Sequence, residues 1–224
     1  MRVASNISGN PPTSIPIYEY LFDFIDDVLY KFKLPSKGES GDFDTAENKI
    51  TQNIAISLSE KAHIEDTIFA FLNQPQLEKQ ATTDIGVYLR RGGDFFCWIE
   101  AKRLPTPKGS NRDEREYVIV SQTKENGKKI FRGNGGIQRF KEGNHASKLP
   151  HSIMIGYIQD NNSDYWLNKI NCWIRQLINE DSSFWTENDC LCEQKSNKCD
   201  RYVSTHNRKR KLGTITLHHF WIKL

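Results

Sequence analysis

Apolar residues recur along this chain with two periods, and the clearest period of two lies in TTDIGVYLRRGGDFFCWIEAKRL, residues 82–104. Two alternating runs flank Arg91-Gly92-Gly93, where glycine supplies the positive φ of a tight turn, so the stretch predicts a β-hairpin. With the turn centred on Gly92, Asp84 faces Glu100, Gly86 faces Trp98 and Tyr88 faces Phe96. Ile85, Val87 and Leu89 then share a core face with Phe95, Cys97, Ile99 and Ala101, leaving Asp84, Glu100 and Lys102 together on a solvated face.

The helical period appears over residues 16–32, where Ile17, Leu21, Phe24, Ile25, Val28, Leu29 and Phe32 form one stripe and Pro16 suits a first turn. After the Pro- and Gly-containing loop 33–42, a second helix is predicted from Asp44 or Thr45 to about Ser59, with Ile50, Ile54 and Leu58 buried. Glu47 has two readings there: the acidic partner of Asp44 in a capping box, or a carboxylate reaching a site from the stripe's edge. IFAFLN at 68–73 predicts the strand before the hairpin, and the charged, Pro-containing 103–116 a long excursion. GNGGIQRFKEGNHA at 133–146 predicts a short helix with Gln138, Arg139 and Lys141 exposed. HSIMIGYIQD at 151–160 reads as a strand buried on both faces, followed by a helix capped by Ser163 and striped by Leu167, Ile170, Ile174, Leu177 and Ile178. Residues 201–208 and 214–224 pair as a closing C-terminal hairpin around a basic turn.

At 224 residues the chain predicts a flexible terminus over 1–15 and one domain over 16–224. With no apolar run of transmembrane length and a polar, proline-interrupted N-terminus, a soluble, cytoplasmic protein without a membrane partner is expected. Five unevenly spaced cysteines do not form a disulfide framework. Cys190, Cys192, Cys199 and His206 invite a zinc reading, although Cys-x-Cys is not knuckle spacing. Charge is uneven: residues 1–80 carry a net −5, residues 101–150 a net +7, and Arg208, Lys209 and Arg210 belong to a second basic cluster ending at Lys211. Such loops suit a polyanion, with Arg103, Lys108, Arg139, Lys141, Arg208, Lys209 and Arg210 as the expected phosphate contacts; an ordinary solvated surface is the alternative.

Two carboxylates opposed across a hairpin repel unless a cation lies between them. Asp84 and Glu100 provide half of a Mg²⁺ site that substrate phosphate completes, and Lys102 shares their face, which together are the ingredients of phosphodiester hydrolysis. His206, His218 and His219 offer further contacts to phosphate or a base, against a structural role in strands.

The set Asp84, Glu100-x-Lys102 resembles the signature of the PD-(D/E)xK nuclease superfamily. The resemblance implies a restriction-endonuclease-like core over residues 44–180, an α/β fold with a mixed central β-sheet flanked by helices, here with an extra N-terminal helix and the C-terminal hairpin. It implies Mg²⁺-dependent (or Mn²⁺-dependent) cleavage of DNA, with Asp84, Glu100 and Glu47 as metal ligands, and with Lys102 and Gln138 completing the catalytic set. Restriction, antiviral defence or repair would be the setting, with specificity from loops, a second copy or a partner subunit. The rival expectations are a nucleic-acid-binding protein of this fold that does not cut, and a scaffold subunit.

Overall fold

The computed structural model describes residues 17–33, 46–75, 83–93, 95–106, 113–125, 128–131, 135–209 and 211–224, and only the backbone course of Ala46 and of residues 121–125 and 128–131. Expectations for residues 1–15, Asp44, Lys108 and Arg210 lie outside the described residues. In chain order come α1 (Ile17–Lys31), α2 (Ala46–Ile64), β1 (Phe69–Asn73), β2 (Ile85–Leu89), β3 (Phe95–Leu104), β4 (Ser121–Glu125) and β5 (Lys128–Phe131). They are followed by α3 (Gly136–Lys141), β6 (His151–Ile158), α4 (Ser163–Glu180), a 3₁₀ turn (Glu187–Asp189), β7 (Cys192–Gln194), β8 (Asp200–Asn207) and β9 (Thr214–Lys223). None of the described helices is long and apolar enough to cross a membrane.

Seven strands form one mixed sheet in the order β1-β2-β3-β6-β9-β8-β7, while β4 and β5 form a separate ribbon. The β3–β6 and β6–β9 pairs are parallel, the other neighbours antiparallel. One face packs Leu21 and Ile25 of α1 and Ile54 and Leu58 of α2 against Ile85, Val87, Ile99 and Ile155. The opposite face packs Ile137 and Phe140 of α3 and Ile170 and Ile174 of α4 against Trp98, Met154 and Trp221. Parallel strands are covered on both sides in this way, and β6 accordingly reads as an unbroken apolar run.

The hairpin keeps the predicted register at Ile85↔Ile99, Gly86↔Trp98 and Val87↔Cys97, then shifts by one so that Tyr88 meets Phe95. A bulge reverses the faces beyond it. Phe96 therefore joins the α1 side, stacked on Tyr18 at 4.3 Å, while Phe95 packs 5.5 Å from Trp98 on the other, correcting the expectation for Phe95. The left-handed turn residue is Gly93, with φ 67°. The face carrying Glu100 and Lys102 is not solvated, because α3 and α4 cover it.

Two boundaries also differ. The α2 helix continues past Ser59, whose Oγ donates to Ala55 O at 2.8 Å and so closes on the helix instead of ending it. Asn162, not Ser163, caps α4 by accepting from Tyr165 N, while Ser163 Oγ bonds Asp200. The C-terminal strands pair antiparallel as the expected hairpin, and β9 pairs on its other side with β6, which sets the hairpin within the main sheet.

Gly156 is in register with both Lys102 and Trp221, and a Cβ there would run into the Trp221 ring. Gly156→Val is expected to lower unfolding free energy by about 2 kcal/mol or more through overpacking. Urea unfolding checks it, and an unchanged midpoint would mean that the ring does not occupy this space.

Candidate active site on the central strands

Asp84 sits immediately before β2, and its Oδ2 accepts from Ala101 N at 2.7 Å, which fixes the carboxyl against β3 one step from Glu100. Glu100 is 1% exposed and Lys102 7%. Glu100 Oε1 accepts from Lys102 Nζ at 2.9 Å and from Arg139 of α3 at 2.7 Å. His145 Nε2 lies 3.6 Å from Glu100 Oε2, which is buried without a hydrogen bond. From the first turn of α2, Glu47 accepts from Arg103 Nε at 3.2 Å and lies 3.8 Å from Lys102 Nζ. Thr51 anchors that turn, donating to Glu47 O at 2.8 Å and sharing a hydrogen bond with Tyr157 OH. The fold thus gathers Glu47, Asp84, Glu100 and Lys102 from three separate segments.

Burial and the neighbouring Glu100 push the Asp84 carboxyl up to about 7. Burial acts on Glu100 in the same sense, but Lys102, Arg139 and His145 outweigh it and hold Glu100 below the usual glutamate range. The ammonium of Lys102, despite the burial that disfavours its charge, is held above its ordinary value by Glu100, Asp84 and Glu47. Burial keeps His145 low, hence neutral near pH ~7.

Gln138 and Lys141 are buried rather than exposed, because α3 lies on the sheet and not in solvent. Gln138 Nε2 donates to Glu142 at 3.1 Å, and its Oε1 is buried without a hydrogen bond. Arg139 turns its guanidinium onto Glu100, with its side chain 27% exposed. His145, ring 4.9 Å from Trp98 and 3.4 Å from the Arg139 guanidinium, went unnoticed in the sequence. The signal available was a histidine four residues beyond a helix already suspected of facing the site.

Several expected phosphate contacts are internal. Arg103 is buried against Glu47, and Lys141 is fully buried against Asp189 at 2.6 Å. Arg208 is a brace, donating to the carbonyls of Ala146, Leu149 and Leu212. Lys209 lies 4.3 Å over the Phe184 ring with Glu142 at 3.6 Å, and its side chain remains 52% exposed.

The strand histidines are interior as well. Asp189 accepts from His206 Nδ1 at 2.5 Å, so neutral His206 accepts at Nε2 from Ser204 Oγ at 2.7 Å, and Ser204 in turn accepts from His219 Nε2 at 2.8 Å. Tyr117 OH then donates to His219 Nδ1 at 2.8 Å and accepts from Trp221 Nε1 at 2.9 Å. Burial holds both imidazoles low, which keeps this chain of donors in one direction. Although Ser204, His206 and Asp189 have the connectivity of a nucleophilic triad, all three are buried and the serine oxygen already accepts from His219, so the group is structural. Cys199 packs on Asp26 of α1, whereas Cys190 belongs to the core of the opposite sheet face, so they do not converge with His206.

Among the described residues no three His, Cys, Asp or Glu side chains converge as a complete metal site. The donor set fits half of one: Asp84 and the unpartnered Oε2 of Glu100 are hard oxygen donors whose mutual repulsion a divalent cation would relieve. Glu47 lies beside the same cluster, with Arg103 at 3.2 Å and Lys102 at 3.8 Å. The chain matches no protein-family model, no curated protein and no solved structure.

A carboxyl raised on folding binds a proton that the unfolded chain has released. Between the ordinary value of 3.8 and about 7, the Asp84 contribution to stability therefore falls as pH rises, and it is level above that window. Asp84→Asn is expected to gain roughly 4 kcal/mol relative to wild type between pH ~4 and pH ~8. Paired denaturant titrations across that range check it; a constant difference would return Asp84 to an ordinary carboxylate.

Proposed function

We propose that this chain is a divalent-metal-dependent endonuclease acting on DNA, with Asp84, Glu100 and Lys102 as its central residues, on a restriction-endonuclease-like core. The observation that carries the reading is the buried, unpartnered Glu100 Oε2 beside Asp84, with Lys102 fixed 2.9 Å from the other oxygen. A leftover acceptor on a buried anion costs about 1–3 kcal/mol or more, and a cation bound between the two carboxylates would supply its partner. The order helix, three antiparallel strands, helix, parallel strand, seen in α2, β1–β3, α3 and β6, supports it too.

When bound, Mg²⁺ or Mn²⁺ would act as a Lewis acid toward the scissile phosphate. Asp84 is anchored by the Ala101 amide and presents its remaining oxygen. Lys102, kept protonated by three carboxylates, stabilises charge on the phosphate oxygens. Arg139 is the more exposed of the two cations on Glu100 and exchanges that carboxylate for a substrate phosphate. Neutral His145 stands 3.6 Å from Glu100, placed to take up a proton. A non-cutting protein that binds nucleic acid is the second reading, favoured by one observation: Lys102 and Arg139 already saturate Glu100 Oε1.

Because both side chains are buried, near-isosteric replacements are the informative ones. Glu100→Gln and Lys102→Met are expected to reduce Mg²⁺-dependent plasmid nicking by about 10³-fold or more while retaining a cooperative unfolding transition. Wild-type cleavage by either variant, or undiminished cleavage in excess EDTA, excludes the mechanism. Asp84→Asn separates cutting from binding: without metal it relieves repulsion of phosphate, so DNA binding in EDTA should be at least as tight as wild type, weakening steeply with salt. Lost binding in a folded variant would remove Asp84 from the metal role.

A further inference from the structure

The charges of the candidate site balance without a metal. Glu100 pairs with Lys102 and Arg139, Glu47 pairs with Arg103 and lies near Lys102, and Lys102 acts on Asp84 as well. With the three carboxylates ionised, a divalent cation added to this set would leave two positive charges uncompensated. Glu100 is 1% exposed and Lys102 7%, so water screens such an excess poorly.

The nearest opposing charge is Arg139. Its guanidinium lies 2.7 Å from Oε1 of the carboxylate whose Oε2 is the open donor, so a cation on Oε2 would meet it across a single carboxylate. Lys102 cannot make room, because it belongs to the same strand as Glu100 and its side chain is buried between Glu100 and Glu47. Arg139 can: its side chain is 27% exposed, whereas the α3 backbone is held by buried Ile137 and Phe140 and by the Lys141–Asp189 pair. Moving Arg139 off Glu100 is therefore a side-chain movement that leaves the helix in place. A DNA phosphodiester supplies what the cation lacks. One phosphate offers the guanidinium a second anion of matching geometry, and its charge with that of its neighbours offsets the metal.

We infer that the divalent cation and a DNA phosphate enter this site as a pair, coupled by Arg139, which keeps the cation out while it is paired with Glu100 and admits it on moving to the phosphate. The inference rests on the reading of Asp84 and Glu100 as the ligands of the cation. By reciprocity, the factor by which DNA tightens cation binding is the factor by which the cation tightens DNA binding.

Calorimetric titration of the full chain with Ca²⁺, whose loose coordination suits binding without turnover, tests this, alone and with a duplex oligonucleotide and corrected for Ca²⁺ taken up by the duplex itself. Ca²⁺ is expected to bind at least about tenfold tighter with the duplex present. Fluorescence anisotropy at constant ionic strength should show the duplex binding tighter in Ca²⁺ than in EDTA by the same factor. Arg139→Met keeps most of the stem and removes the charge, so the free variant should bind Ca²⁺ about tenfold tighter than free wild type and lose most of the effect of the duplex. If that variant does not fold, the two wild-type titrations decide. Equal Ca²⁺ affinity with and without the duplex overturns the coupling, as does a folded Arg139→Met chain that binds Ca²⁺ no tighter than wild type. Asp84→Asn distinguishes this from failure of the site. Uncoupled Ca²⁺ binding that Asp84→Asn abolishes removes only the role of Arg139, whereas Ca²⁺ binding that survives Asp84→Asn, or none at millimolar Ca²⁺ with the duplex, overturns the ligands and the coupling together.

Discussion

The structure depends on the charge of Glu100, a carboxylate at 1% exposure in a strand buried on both faces. An ion in such a place is tolerated only when cations and hydrogen bonds replace its water. Lys102 and Arg139 do so at one oxygen, and they must be brought by two different elements, the same strand and α3. The same constraint extends along β3, where Arg103 points to the opposite face and requires Glu47 from α2. Helices on both sides of the sheet are therefore tied to one strand by charge as well as by apolar packing.

That coupling accounts for the buried polar chain behind α3. Lys141 is fully buried, and Asp189 neutralises it while accepting from His206, the first of the linked groups that ends at Trp221 on β9, beside the central strand β6. With every donor and acceptor in the line occupied, the helix carrying Arg139 is referenced to the middle of the sheet through directional bonds. Apolar contacts of Ile137 and Phe140 alone would leave its rotation less defined. The position of Arg139 on Glu100 is thus fixed from both ends of α3.

The two sheet faces differ in use. One carries the acidic and basic cluster around Glu100, whose Oε2 is without a hydrogen bond; the other, beside α1, opens into a cavity lined by Tyr18, His151 and Arg201.

The local pattern of the sequence determined much of this. Alternation on either side of Gly92-Gly93 defined the hairpin and the pairings Ile85↔Ile99 and Gly86↔Trp98, and helical stripes located α1 and α4. Asp84, Glu100 and Lys102 were legible as neighbours because strand period and turn position are local properties. Tertiary structure decided the rest. Packing of α3 and α4 over β3 and β6 converted a face expected to be solvated into a buried one, a bulge exchanged Phe95 for Phe96, and α3 carried Arg139 to Glu100 and Lys141 into the core. Basic residues read as phosphate contacts became partners of acids distant in sequence, since a charge run fixes composition but not which carboxylate it will meet. The cavity between α1 and β7–β9 joins residues 18 and 218, a proximity that arises only when the sheet closes.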